Sequence, residues 1–338
     1  MKKPISLFLS LIIALLSLFS CSQSDGNKTT PKRRIFYDYF DTVGTFMDYS
    51  GMSDEKFDAL ADRVEATLAE FHKLYDIYNE YEGITNLASV NKNAGNGQLK
   101  VDEKIVDMLL YSKQMYSLTG GKVNVAMGAV LEIWHNYRTA GKEIPGMDIL
   151  TAAAEHTDIN SLVIDEENLT VELLDPKMSL DVGAIAKGYA VEMTAKMLEA
   201  EGYTSLVLDV GGNLRAIGEK PSGKGWTAGV TNPASPYSQT YVYTMEIKNA
   251  ALVTSGGYQR FYMVDGVRYH HIINGETLMP ENYYLSVSIK SPSSALSDAL
   301  STAVFNMKYE DAAAFIDKLD GVFAVFVLPD GEVRCAGK

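Results

Sequence analysis

The sequence predicts an α+β fold in one large domain, from two observations. Helical periodicities are separated by many short β-prone runs, and these runs lack the regular strand–helix alternation of a doubly wound sheet. No linker-like stretch interrupts residues 35–338. We therefore expect mixed or antiparallel sheets with helices packed against them.

In the first half of the chain, the spacing of the apolar residues predicts both strands and helices. β-prone residues surround Gly44, and apolar residues then recur at three- and four-residue steps, which makes one face of an amphipathic helix. A second such helix stops at Gly120-Gly121. The predicted elements are strands within 35–49, helices over 56–78 and 102–118, a hairpin of 161–164 with 170–174, and a helix over 184–201.

The second half is predicted to be mainly β, with helices returning near the end. Short apolar runs alternate with Gly, Pro and Asn turns, which is typical of strands in an α+β sheet. The predicted strands are 205–210, 226–231, 241–247, 251–255, 261–264, 269–273 and 285–289, followed by helices over 294–307 and 310–319 and a final strand over 321–328 that closes the chain.

Residues 1–20 have the pattern of a lipoprotein signal peptide. Lys2 and Lys3 precede an apolar run over 5–18, which is shorter than the ~20 residues of a membrane-spanning helix. The run ends in Leu-Phe-Ser-Cys, which resembles the bacterial lipobox, and the alternative is a plain signal peptide with an incidental cysteine. We expect lipid on Cys21, a flexible tether over 21–34, and a location in the bacterial cell envelope, anchored to a membrane and facing the periplasm.

The composition excludes some function classes. The 338 residues carry a formal net charge of −13, so the clustered positive charge of a nucleic-acid-binding surface is not expected. Two cysteines cannot build a disulfide framework or a multi-cysteine zinc site.

Residues 181–188 form a glycine-containing segment at a predicted helix start. The segment does not match the P-loop pattern, because Lys187 and Gly188 stand in the wrong order for it. Backbone amides at a helix start still favour anions, and Lys187 can add a positive charge toward a phosphate. The alternative is an ordinary helix start with a solvated lysine.

Asp298 and Thr302 lie four residues apart in a predicted helix, so they share one face. A carboxylate with a hydroxyl suits Mg²⁺ when water and phosphate oxygens complete its octahedron. The alternative is a carboxylate near the helix start and a surface threonine. His270-His271, in a predicted strand, point to opposite faces and cannot chelate one metal together.

Taken together, these segments resemble the FAD:protein FMN transferases, the ApbE family, across residues 35–338. The motifs that carry the resemblance are Val43-Gly44-Thr45, Gly120-Gly121-Lys122-Val123-Asn124, Ser179-Leu180-Asp181 through Lys187-Gly188-Tyr189-Ala190, Val210-Gly211-Gly212-Asn213, Thr254-Ser255-Gly256, His270-His271-Ile272-Ile273 and Ser297-Asp298-Ala299-Leu300-Ser301-Thr302-Ala303.

The resemblance implies transfer of the FMN half of FAD to a threonine or serine of a partner protein, with release of AMP and use of Mg²⁺. It places Asp298, Thr302 and the carbonyl of Ala184 around Mg²⁺, and it makes His271 and Asp298 the catalytic candidates. The residues that it places against FAD are Val43, Tyr78, Lys122, Val123, Asn124, Asp181, Lys187 and Ile272.

The resemblance also implies an acceptor protein with a D-G-x-[ST]-G-A-[ST]-like motif, such as subunits of Rnf-type or sodium-pumping NADH:quinone reductase complexes. That motif does not occur in this chain, which favours the enzyme over its flavinylated substrate. Two alternatives use the same pocket: a pyrophosphatase that hydrolyses FAD to FMN and AMP, and a carrier that binds FAD without turnover.

Overall fold

The structure is a computed structural model that describes residues 30–236 and 240–338. The predicted signal peptide and Cys21 lie outside the described residues. Within the two described ranges, no helix combines the length and the apolar character that a membrane span requires.

In the part of the chain that the structure describes, the strands form one large sheet and three small ones. They are β1 (Lys32–Tyr39), β2 (Thr42–Asp48), β3 (Leu99–Lys100), β4 (Leu162–Asp165), β5 (Thr170–Leu173), β6 (Ser205–Val210), β7 (Asn213–Gly218), β8 (Trp226–Thr231), β9 (Tyr241–Ile247), β10 (Ala251–Gly256), β11 (Phe261–Val264), β12 (Val267–His270), β13 (Ser286–Ser291), β14 (Phe323–Val327) and β15 (Val333–Gly337).

The helices lie between these strands in the chain. They are α1 (Asp54–Tyr75), α2 (Leu87–Lys92), α3 (Glu103–Leu118), α4 (Gly128–Ala140), α5 (Met147–Ala154), α6 (Ala186–Ala200), α7 (Ser294–Phe305) and α8 (Tyr309–Ile316), with short 3-10 turns at Val125–Met127 and Ile159–Ser161.

The main sheet has eight strands in the order β1-β2-β6-β7-β10-β13-β14-β15, and each neighbouring pair is antiparallel. The small sheets are β3-β5-β4, β8-β9 and β11-β12, and their pairs are antiparallel as well. The predicted α+β class is confirmed.

Helices cover one face of the main sheet and the β8–β9 hairpin covers the other. Alternate residues of a strand point to opposite faces, and β2 shows both: Phe46 packs with Val64 and Leu198 of α1 and α6, whereas Met47 packs with Trp226 of β8. The helices α6 and α7 pack against each other on the helical face, α6 over β7 and α7 over β10 and β13. This packing brings the predicted phosphate-binding segment 181–188 next to Asp298.

The first strand begins before the predicted end of the tether. β1 starts at Lys32, and Arg34 donates hydrogen bonds to Asp58 at 2.9 Å and to Asp62 at 3.0 Å on α1. Residues 32–34 are therefore not tether, because pairing with β2 and the acidic face of α1 order them.

The first helix ends three residues earlier than predicted. The carboxylate of Asp76 accepts the backbone amides of Tyr78 at 2.7 Å and Asn79 at 3.1 Å, which turns the chain out of the helix. Tyr78 consequently lies in a turn after α1, and its side chain is exposed.

Three β predictions need correction. The predicted strand 269–273 is β12, which ends at His270, so His271 lies just beyond it. The predicted last strand is followed by β15, which pairs with β14. β7 was not predicted; Gly211 and Gly212, both at positive φ, return the chain directly from β6 into it.

Candidate active site

The buried carboxylate of Asp298 is the centre of the candidate site. Its Oδ2 accepts the backbone amide of Gly188 at 2.7 Å and the side-chain amide of Asn213 at 3.0 Å. Its Oδ1 accepts no hydrogen bond from the described residues, and the ammonium of Lys187 lies 4.0 Å from it. Asp298 therefore presents one uncommitted carboxylate oxygen beside a positive charge.

Burial raises the pKa of the Asp298 carboxyl, and the Lys187 charge and the donors on Asn213 and Gly188 oppose that rise. Burial likewise raises the pKa of Asp209, at the end of β6, and Lys187 opposes this rise too. Lys187 thus acts electrostatically on two carboxyl groups.

Gly188 permits the close approach of α6 to α7. A Cβ atom at this position would lie 2.4 Å from Cβ of Asp298 and 2.6 Å from the carbonyl oxygen of Ser294. Any larger residue would separate the helices and lengthen the hydrogen bond to Asp298.

Thr302 lies one turn after Asp298 on α7, as the four-residue spacing predicts. Its Oγ1 is 3.4 Å from Oγ of Ser255 on β10, and that hydroxyl is also 2.8 Å from Oγ of Ser301. A seam of hydroxyl groups therefore lies between α7 and β10 beside the carboxylate.

The turn before α6 is held by hydrogen bonds from distant parts of the chain. The side chain of Asn91 accepts the backbone amide of Leu180 at 2.7 Å and donates to its carbonyl at 3.0 Å. The backbone amide of Asp181 donates to the carbonyl of Val125 at 2.8 Å, and its Oδ1 accepts the amide of Gly183 at 2.9 Å. Ala184 follows in the same turn, half-buried, two residues before α6 begins.

A second group of polar side chains surrounds Asp181. Burial raises the pKa of Asp181, and the hydrogen bond from the Gly183 amide and the nearby side chains of His135 and Arg138 oppose this rise. The rings of Tyr78 and His135 lie 5.6 Å apart between centroids. Burial lowers the pKa of Arg138, and the nearby positive charge of Arg260 lowers it further.

His271 lies against this second group. Its backbone amide donates to the carbonyl of Arg260 at 3.2 Å, and its Nδ1 lies 3.3 Å from the same oxygen. Burial, together with the charges of Arg260, His270 and Arg138, lowers the pKa of His271 to about 3. The free protein therefore holds a neutral imidazole at neutral pH, which can accept a proton but is too weak an acid to donate its remaining one. The Nδ1 contact favours a proton on Nδ1 and leaves Nε2 as the acceptor.

His270, by contrast, is a buried residue whose ring nitrogens are both engaged by the backbone. Its Nε2 lies 2.9 Å from the carbonyl of Glu281, and its Nδ1 accepts the amide of Ile272 at 3.2 Å. One histidine of the pair is thus a satisfied core residue and the other is not.

A family model for the ApbE family matches residues 43–326. The chain belongs to the ApbE family.

Several relatives and solved structures agree with this match. The chain is 34% identical over 264 residues to an FAD:protein FMN transferase of Treponema pallidum, covering 74% of this chain and 72% of that protein. It is 27% identical over 277 residues to one from Klebsiella pneumoniae, covering 82% and 84%.

Two solved structures share the fold. The ApbE protein of Thermotoga maritima superposes with a TM-score of 0.80 at 24% identity, covering 91% of this chain and 97% of that one. The apo form of the Pseudomonas stutzeri flavinyl transferase ApbE gives a TM-score of 0.76 at 22% identity, covering 93% and 96%.

The remaining residues that were predicted to contact FAD differ in whether their side chains are already engaged within the protein. Lys122 pairs with Glu276 at 2.7 Å, and both polar atoms of the Asn124 side chain are engaged, with the amide of Ala126 and the carbonyl of Thr157, each at 2.9 Å. The other three contribute backbone or apolar surface: Val123 and Ile272 are buried, and the carbonyl of Val43 accepts the amide of Gly211 at 3.1 Å. Their contact with FAD stays a prediction.

The sequence reasoning missed several residues of this ApbE-family site. Asn213 belongs to the Val210–Asn213 motif, but its contact with Asp298 depends on β7, which the sequence does not predict. His135 and Arg138 lie three residues apart on α4, a spacing that puts them on one face and was a usable signal. Arg260 has no local signal, because it meets His271 only through the β11–β12 hairpin.

Within the described ranges, no group of three or more His, Cys, Asp or Glu residues is arranged to hold a metal ion.

Proposed function

We propose that this protein is an FAD:protein FMN transferase, which moves the FMN half of FAD onto a serine or threonine hydroxyl of a partner protein and releases AMP. The similarity to relatives of that name supports the reaction class. The observation that carries the proposal is the uncommitted Oδ1 of Asp298 beside Lys187, within a chain of this family.

Mg²⁺ is the proposed metal, with Asp298, Thr302 and the carbonyl of Ala184 as its protein ligands. The donor set fits, because hard oxygen ligands and few protein ligands suit a cation that keeps waters and binds substrate phosphates. The free carboxylate oxygen of Asp298 supports this assignment. When bound, Mg²⁺ supplies neutralisation of the charge on the pyrophosphate.

The pyrophosphate of FAD is proposed to lie near the start of α6. Lys187 brings a positive charge there, and the amides of a helix start favour anions. The exposed ring of Tyr78, beside His135, offers a flat surface to one of the ring systems of FAD.

The transfer step exchanges the phosphoanhydride bond of FAD for a phosphoester bond to the acceptor. The acceptor hydroxyl oxygen forms a bond to the phosphorus of the FMN half, the bond from that phosphorus to the bridging oxygen breaks, and AMP leaves with that oxygen. The hydroxyl proton must go to a base, and we propose Nε2 of His271 for this role. The bound pyrophosphate would raise the pKa of His271 from about 3, because it offsets the charges of Arg260 and Arg138.

The proposed setting is the bacterial cell envelope. Lipid on Cys21 would anchor the protein to a membrane facing the periplasm, where the acceptor would be an extracytoplasmic redox protein with a D-G-x-[ST]-G-A-[ST]-like motif.

One assay tests the reaction. The mature protein is incubated with FAD, Mg²⁺ and a candidate acceptor, and the acceptor is examined by mass spectrometry. An acceptor that gains FMN supports the transferase. Free FMN and AMP with an unmodified acceptor would indicate a hydrolase, and unchanged FAD would indicate a carrier.

A further inference from the structure

A second buried polar cluster lies one helical turn from the Asp298 contacts. The carboxylate of Glu192 on α6 accepts the backbone amide of Ser294 at 2.7 Å and the Nε of Arg215 at 3.2 Å, all on Oε2. The side chains of Glu192 and Arg215 are both buried. A buried ion pair of this kind is costly to disturb on one side only.

Ser294 is the first residue of α7, so Glu192 binds a helix start. The first amides of a helix have no partner within the helix, and a negative charge there is favourable. Ser293 also caps this end, with its Oγ accepting the amide of Leu296 at 3.4 Å. Glu192 therefore fixes the N-terminus of the helix that carries Asp298 and Thr302.

The helices α6 and α7 and the strand β7 supply both the contacts of Asp298 and the contacts of Glu192. On α6, Gly188 and Glu192 are four residues apart, and on α7, Ser294 and Asp298 are also four residues apart, so each pair shares one face. On β7, Asn213 reaches Asp298 and Arg215, two residues on, reaches Glu192 from the same strand face. α7 is thus held at two points, and only one of them touches the candidate metal ligand.

Arg215 is fixed from the other side. Its Nη2 donates to Glu199 at 2.7 Å and its Nη1 lies 3.3 Å from the side-chain oxygen of Asn249. Glu199 lies two turns further along α6, is partly exposed, and makes no contact with α7 among its described hydrogen bonds.

We propose that Glu192 is a positioning residue for the metal site: through the Ser294 amide it sets where α7 stands along its axis, and thereby where the free oxygen of Asp298 and the hydroxyl of Thr302 lie. The proposal rests on the proposed function for the identity of the metal, Mg²⁺. Glu192 itself touches neither metal nor substrate.

The test compares Glu192→Gln with Glu199→Gln. Both variants remove one negative charge from Arg215, but only the first alters the contact with α7. Mg²⁺ binding in the presence of FAD is measured by calorimetry, together with FAD binding in EDTA and thermal unfolding. We expect Glu192→Gln to raise the Mg²⁺ dissociation constant about tenfold, and Glu199→Gln to change it less than about twofold.

A further readout needs no metal. Hydrogen exchange of the amides in the first turn of α7 should be faster in Glu192→Gln than in Glu199→Gln, in apo protein. If Glu192→Gln does not fold, Arg215→Lys replaces it, since a lysine cannot bridge Glu192 and Glu199 as the guanidinium fork does.

The proposal is overturned if both variants change Mg²⁺ binding equally, or if Glu192→Gln binds Mg²⁺ normally, even with lowered stability. Absence of Mg²⁺ binding by the wild-type protein with FAD would also overturn it. Failure of the wild-type protein to transfer FMN would instead reject the proposed function, because the calorimetric comparison does not depend on turnover.

Discussion

The backbone amide of Gly188 donates a 2.7 Å hydrogen bond to Oδ2 of Asp298, which joins the first turn of α6 to the middle of α7. The two residues are 110 positions apart in the chain. The helix start that we propose for phosphate binding and the carboxylate that we propose for the metal are therefore one rigid unit.

Gly188→Ala should disrupt this unit. A Cβ would meet Cβ of Asp298 at 2.4 Å and the Ser294 carbonyl at 2.6 Å, and neither atom is the end of a flexible side chain. We expect a loss of about 1–3 kcal/mol in the free energy of unfolding, measured by denaturant titration, and loss of FMN transfer. Lys196→Ala, at an exposed position of α6, is the control. Wild-type stability in Gly188→Ala would contradict the packing argument.

Asp298→Asn should stabilise the apo protein while abolishing Mg²⁺-dependent transfer. The folded-state pKa of Asp298 is raised, so the native state holds its proton more tightly than the unfolded state does, and ionisation lowers stability as pH rises through that range. Asparagine removes this cost, and its oxygen can still accept from Gly188 and Asn213. We expect a higher Tm in EDTA at pH 7 and no increase on adding Mg²⁺ with FAD.

Thr302→Ala is the companion variant for the metal assignment. Because a water can replace a neutral oxygen ligand, it should shift the Mg²⁺ dependence of transfer without abolishing it. Near-normal turnover of Asp298→Asn at low millimolar Mg²⁺ would mean that the metal assignment is wrong.

Lys187→Ala should weaken FAD binding more than folding. Loss of one charge-assisted contact to a phosphate is expected to cost about 1.5–3 kcal/mol, or roughly 10–150-fold in the dissociation constant. Equilibrium titration of flavin fluorescence measures the affinity, with thermal unfolding in parallel. An unchanged dissociation constant would return Lys187 to the role of a solvated lysine at a helix start.

His271→Gln should make stability less sensitive to acid. The pKa of His271 is lowered to about 3 in the folded protein, so the unfolded chain binds this proton more readily and stability falls as pH drops below about 6.5. The variant should gain about 1–2 kcal/mol relative to wild type at pH 5 and little at pH 7.5, by urea denaturation. An equal effect at both pH values would contradict the lowered pKa.

Cys21→Ala tests the anchor. The variant loses the proposed lipid site and leaves the described domain untouched, so it should leave the membrane fraction and keep its FMN transfer activity in solution. Fractionation with immunoblotting measures the distribution. Membrane association at wild-type level would remove the lipoprotein proposal.

Local patterns in the sequence were sufficient for many elements of the fold. The helix predicted over 102–118 is α3, because Asp102 caps its start and Gly120-Gly121 follow its end. β7 escaped prediction because buried polar residues interrupt its apolar pattern. Those residues, Asn213 and Arg215, are the ones that bind Asp298 and Glu192.

The site residues likewise include some that local spacing predicts and others that depend on long-range packing. Asp298 and Thr302 could be paired from their four-residue spacing, since a helix face is a local property. The contact of Glu192 with Ser294 and the influence of Arg260 on His271 arise only when distant segments pack together, and no spacing along the chain encodes them.

If Cys21 carries the proposed lipid, the early start of β1 limits how far the domain can stand from a membrane. The segment from Cys21 to Lys32, where β1 begins, can span at most about 40 Å. The candidate active site would then reach only acceptors close to the bilayer surface. Acceptors that are themselves in the membrane would meet it by diffusion in two dimensions. Lengthening the segment between Cys21 and β1 should widen the range of acceptors that the site can reach, and shortening it should narrow that range, without altering any residue of the site.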